Sequence, residues 1–258
     1  MKRLIVNADD LGRSRGIDRG IVLSHERGIV TSTTLMANAP DAESAASLAR
    51  ACTGLDVGVH LVLTYGRPLT DPGRIPSLVE PDGSFPRSPS AIVGRRRVRG
   101  DEALIEYRAQ FARAADLLGR RPSHVDTHHW VHDDPELEWA VGELAIETGV
   151  AARQHDAAQR ERLRARGVRT PDRFCRAFQH GDNVSVASLL VILAGIAAAG
   201  DGTTELMCHP GETGDAQLLA TSTYARERPV ELATLTDPRV RVAVEQHDLV
   251  LSTFAELA

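Results

Sequence analysis

Side chains able to bind a metal or move a proton gather at four places in this chain: Asp9-Asp10, His60, the run His124 to His132, and His209-Pro210. Two adjacent carboxylates repel one another and persist where a cation or hydrogen bonds compensate them. A helix N-cap would use one of Asp9 and Asp10, because Gly12 opens a turn before the next helical pattern, but it leaves the other unexplained. His60 alone is a weak signal, since a lone histidine is more often a satisfied structural residue. The later run is stronger, placing His124, Asp126, His128, His129 and His132 within nine residues. In a strand, a period of two aligns His124, Asp126 and His128 on one face, where some can touch a metal or substrate and another can act from behind.

A set of histidines and a carboxylate with open positions suits Zn²⁺, Mn²⁺, Co²⁺ or Fe²⁺, and is less comfortable for Mg²⁺. Such an ion makes a water it holds a usable nucleophile near neutral pH, and a neighbouring carboxylate can take the proton. His209, held stiffly before Pro210, is a candidate to protonate a leaving amine or stabilise an oxyanion. A structural histidine capping the sheet is the plainer alternative.

The elements that must position these residues follow from periodicity. Residues 4–7, 31–36, 55–63, 123–128 and 205–209 read as strands, and helical patterns fall near 17–27, 41–52, 101–119, 135–149, 184–199 and 226–235. Strand and helix alternation implies an α/β fold with a parallel sheet and right-handed crossovers, here a distorted or incomplete (β/α) barrel with outer helices. The chemistry-bearing residues then sit at C-terminal strand ends, where such folds build their sites. Residues 68–100, rich in Pro, Gly and Arg, and the charged segment 155–182 read as long surface loops, lids or substrate walls. Arg95-Arg96-Arg97 reads as a solvated, mobile turn.

At 258 residues one domain spanning 1–258 is expected. A net charge of −5 with mixed signs offers no basic face for nucleic acid and points to a small-molecule partner. The apolar run before Asn7 is too short for a signal peptide or membrane span, so the expectation is a cytoplasmic protein with no membrane partner. Cys52, Cys175 and Cys208 lack metal-type spacing and read as reduced thiols without a catalytic role.

The phrases Ile5-Val6-Asn7-Ala8-Asp9-Asp10-Leu11-Gly12, Gly28-Ile29-Val30-Thr31-Ser32-Thr33-Thr34, Gly58-Val59-His60-Leu61-Val62-Leu63-Thr64, His124-Val125-Asp126-Thr127-His128-His129 and Met207-Cys208-His209-Pro210 occur in that order. Together they resemble the YdjC-like carbohydrate deacetylases, which include chitooligosaccharide deacetylases. The resemblance implies a distorted (β/α) barrel and one divalent metal ion, Zn²⁺ or Mg²⁺ with Mn²⁺ or Co²⁺ as further candidates, held by Asp10, His60 and His128. It places Asp9 as general base and His209 as catalytic acid or charge-tuning histidine. It further implies an N-acetylated mono- or oligosaccharide substrate and a homodimer. Where the family commonly carries a third consecutive histidine, this chain has Trp130, whose flat face is a candidate surface for a sugar ring, with burial in the core the alternative. His124 and Arg153 complete the expected substrate contacts. Arg153 ends a short strand and is placed to orient His209, Asp9 or a substrate hydroxyl, a surface ion pair being its simpler use. Two other readings compete: a metal phosphoesterase, disfavoured by the lack of an Arg or Lys cluster within the motifs, and a non-catalytic sugar-binding protein on the same scaffold.

Overall fold

Residues 4–11 form an unbroken buried run, the pattern of a strand covered on both faces, and they build the central strand of the sheet. The computed structural model describes residues 1–93 and 98–257; Arg95-Arg96-Arg97 lies outside the described residues. In chain order the elements are β1 (Lys2–Leu11), α1 (Arg15–Arg27), β2 (Ser32–Leu35), α2 (Ala42–Ala51), β3 (Asp56–Leu61), α3 (Pro89–Ile92), α4 (Gly100–Leu118), β4 (His124–Thr127) and α5 (Pro135–Thr148). They continue with β5 (Ala151–Ala152), α6 (Ala157–Ala165), β6 (Arg173–Cys175), α7 (Val186–Ala198), β7 (Gly202–Cys208), α8 (Ala216–Thr221), α9 (Arg228–Leu235), α10 (Pro238–Gln246) and β8 (Leu249–Leu251).

All strand pairings are parallel, in the order β5-β4-β3-β2-β1-β7-β6, with β8 also pairing β1. The sheet curls without closing between β5 and β6 and carries helices outside, which is the incomplete barrel expected from the alternation. Parallel strands bring the ends of β1, β3, β4 and β7 to one rim. Among the described residues, no helix is long and apolar enough to cross a membrane.

Two expectations are corrected. Segment 155–182 contains α6 and β6 rather than one irregular loop. Only Gln159 and Leu163 of α6 are buried, so it has no apolar stripe to announce it. Its local signal is the cap: Asp156 accepts from the Gln159 N–H at 2.8 Å while Gln159 Oε1 accepts from the His155 N–H at 2.7 Å. Segment 68–100 is not merely a surface loop either, since Ile75, Leu78, Phe85 and Ile92 join the core. Glu106 anchors its start by accepting the N–H groups of Leu69 and Thr70 at 3.0 and 2.9 Å.

Candidate metal and catalytic site

Successive residues of a strand point to opposite faces, so Asp9 and Asp10 would normally diverge. The β1–β2 register shifts between Ala8 and Leu11, and Asp10 takes a left-handed backbone with φ 75°. This bulge turns both carboxylates into one rim cavity. Neither caps α1, a task that falls to Ser14.

Asp10 Oδ1 lies 3.1 Å from His128 Nδ1 and 3.4 Å from His60 Nε2, and the two imidazole nitrogens are 3.2 Å apart. Two ligands each about 2.1 Å from one ion at tetrahedral or octahedral angles are roughly 3.0–3.4 Å apart. Asp10 Oδ1 is buried without a hydrogen bond, which leaves this trio with an unsatisfied acceptor aimed at its own centre. The residues present therefore fit a divalent ion.

Behind the trio, Asp126 Oδ1 meets His60 Nδ1 at 2.7 Å and the Thr34 hydroxyl donates to Asp126 Oδ2 at 3.1 Å, fixing the His60 ring with Nε2 forward. Burial alone would lower the His60 pKa, but Asp126 and the two aspartates of β1 raise it. His128 is pushed down to about 4, first by burial, so it is a neutral imidazole at pH 7. The chain reverses just after it through left-handed His129 and Trp130, at φ 60° and 54°.

Asp9 is clamped rather than free. Arg153, at 0 % exposure, donates from Nη1 to Oδ2 and from Nη2 to Oδ1, both at 2.7 Å, and the Asn7 amide donates to Oδ1 at 2.8 Å. Burial would raise the Asp9 pKa, yet Arg153 holds the carboxyl well below its usual range. The free side of Oδ2 faces His209 Nε2 at 3.9 Å. The His209 N–H donates to Glu231, and burial, foremost, lowers its ring to about 4.

The two aspartates are thus each matched by a buried arginine, Asp9 by Arg153 and Asp10 by Arg228. Repulsion between adjacent carboxylates is compensated within the protein, so the argument for a metal moves to the unsatisfied Asp10 oxygen and its imidazoles. Arg228 has no motif around it and gives no signal in sequence. Arg13 lies 3.8 Å from Asp10 and follows the first motif closely enough to have been suspected.

Among the remaining expected residues, Trp130 lines the cavity, of about 290 Å³, together with Tyr224, Arg13 and Arg228. The Arg176 guanidinium sits 4.6 Å from the Trp130 ring centre. Two substrate-contact expectations are corrected. His124 is fully buried, stacked on Phe254 at 3.6 Å and wedged under Gly58, so it does not line the cavity. Arg153 is neither a surface ion pair nor a substrate contact, because Asp9, Asp126 and Glu205 enclose it. The motifs themselves carry no Arg or Lys cluster, as read from the sequence, but Arg13 and Arg228 reach the cavity from outside them.

A curled parallel sheet with an Asp/His/His rim cluster defines the class as an α/β protein with a candidate metal centre. The profile described as YdjC-like protein matches residues 3–246, and the chain belongs to that family. A carbohydrate deacetylase of Geobacillus stearothermophilus is 41 % identical over 98 % of this chain and 96 % of its own. A chitooligosaccharide deacetylase of Serratia marcescens is 38 % identical over 99 % of both. The solved structure of an Enterococcus faecalis V583 protein described as a cellobiose-phosphate cleavage protein superposes with a TM-score of 0.90 at 32 % identity, covering 98 % of this chain and 97 % of that one.

Proposed function

We propose that this protein is a metal-dependent hydrolase removing N-acetyl groups from small amino sugars such as acetylated chitooligosaccharides. The observation that carries this reading is the compact Asp10, His60 and His128 triangle beside Asp9, in a family whose relatives are named for carbohydrate deacetylation. Asp10, His60 and His128 would hold one divalent ion, which when bound polarises an amide carbonyl and makes water a nucleophile near neutral pH. One carboxylate and two imidazoles suit Zn²⁺, Mn²⁺ or Co²⁺ better than Mg²⁺.

The chain's own residues carry the proton. Asp9 is the base, accepting at the one open side of Oδ2 while Arg153 and Asn7 keep it from rotating. His209 is neutral at pH 7 with Nε2 3.9 Å from Asp9 Oδ2, so it takes up that proton once the two close to hydrogen-bond distance or through one bridging water, and delivers it to the leaving amine. The C–N bond breaks as the amine receives the proton taken from water, leaving a free amino sugar and acetic acid, which gives up its own proton as acetate. Trp130 offers an apolar face to the sugar ring.

Incubating metal-analysed protein with N-acetylated mono- and oligosaccharides and measuring acetate tests the reading. Release of acetate supports it; sugar binding without acetate release in a metal-replete sample supports the sugar-binding alternative. The phosphoesterase alternative is favoured only by the presence of Arg13 and Arg228 at the cavity, and both guanidinium groups are directed at Asp10. Cleavage of p-nitrophenyl phosphate in place of acetylated chitobiose would establish it.

A further inference from the structure

The two oxygens of Asp10 face different partners. Oδ1 faces His128 and His60, as described, while Oδ2 is gripped by Arg228 Nη2, with Arg13 Nη1 3.8 Å away. Arg228 is itself held rigidly. It is 1 % exposed, its Nε donates to the Tyr224 carbonyl at 3.0 Å, and its own carbonyl accepts the Gly211 N–H at 3.2 Å. Gly211 packs closely here, since a Cβ on it would stand 3.2 Å from Arg228 Cβ. Burial, the Tyr224 carbonyl on Nε and the packing of Gly211 against the stem together favour the guanidinium's place on Asp10.

We infer that Arg228 is a positioning residue that restricts Asp10 to metal ligation through Oδ1 alone. A carboxylate with both oxygens free can chelate an ion and occupy two of its positions. A charged hydrogen bond from the guanidinium competes with an ion for Oδ2, which favours ligation through Oδ1 and keeps one position open for water or the substrate carbonyl. The same contact draws charge away from Asp10. Because Arg228 offsets the carboxylate's charge and the imidazoles are neutral donors, the ligand set does little to quench the ion's charge, which favours Lewis acidity over tight retention. The inference rests on Asp10, His60 and His128 being the ligand set.

The test uses the full chain, stripped by a chelator and titrated with Co²⁺, followed by visible absorption and calorimetry. Arg228→Met should change the cobalt absorption spectrum, as expected for a coordination number raised by a two-oxygen Asp10, and shift the cobalt Kd by about tenfold or more. Arg228→Lys, which retains a charged donor, should return the spectrum towards wild type, a rescue that a purely structural role would not give. A folded Arg228→Met protein with wild-type spectrum and Kd would overturn the inference. Should that variant not fold, infrared difference spectra of the wild type on cobalt addition decide. A wide splitting between the carboxylate stretches supports one-oxygen ligation, and a narrow splitting of the chelating kind overturns it. Wild-type protein showing no cobalt band at all would instead remove the ligand set beneath the inference, an outcome distinct from both.

Discussion

Arg153 meets Asp9 through two parallel hydrogen bonds of 2.7 Å each from a site with no solvent exposure. The same guanidinium reaches Glu205 at 2.6 Å and Asp126 at 3.0 Å, so one cation orders the base, the carboxylate behind His60 and a third acid. Burial raises the Glu205 pKa to about 7 in spite of Arg153, which shows how much charge this arginine is asked to balance.

Arg153→Met should therefore be costly to the fold as well as to turnover. Removing one partner of a buried ion pair typically costs about 3–5 kcal/mol. Urea unfolding checks the loss; a variant within about 0.5 kcal/mol of wild type would contradict the central place given to this residue.

His209→Gln should lower kcat by roughly 10²–10⁴-fold and leave KM near its wild-type value, because the ring is assigned to proton delivery and not to binding. Steady-state kinetics on an acetylated disaccharide measures both. A rise in KM with unchanged kcat would make His209 a binding residue.

The acid limb of the kcat/KM profile of the metal-loaded protein should fall near pH 4, since His209 is lowered to about 4 from the ordinary 6.5. This imidazole must be neutral to accept a proton, so activity is present above that pH and lost as pH falls through it. A limb centred at 6.5 would mean that His209 is not shielded as the structure has it.

Glu231 is raised to about 7, first by burial, so the folded state binds its proton more tightly than the unfolded chain does. Its stabilising contribution is full below the unfolded value of about 4.5 and is lost as pH rises through about 7. Glu231→Gln removes that loss, so its stability relative to wild type should improve by on the order of 1 kcal/mol or more between pH 5 and pH 8. Urea midpoints at the two pH values give the comparison, and an unchanged difference would contradict it.

Much of this architecture was legible before any coordinates. The strand ends at Asp9-Asp10, His60, His128 and His209 were marked by apolar runs turning abruptly polar, and six helices by their period. What stayed hidden was set by tertiary contact. Arg228 is more than two hundred residues from Asp10 and sits in a helix start like any other. β5 has two residues and β6 three, too few to show a pattern, and their places in the sheet come from β4 and β7. His124 shares a strand face with Asp126, but that face runs down the barrel, and only its upper end reaches the cavity. The repulsion within Asp9-Asp10 pointed towards a nearby metal, and sequence could not say that two distant arginines compensate the pair.

The most direct test measures metal content and acetate release on the same samples of wild type, Asp9→Asn and Asp10→Asn, using acetylated chitobiose. Wild type and Asp9→Asn should each hold one divalent ion per chain, Asp10→Asn should hold none, and only wild type should release acetate. An Asp9→Asn protein that is metal-loaded and fully active, or an Asp10→Asn protein that keeps its ion, would contradict the account.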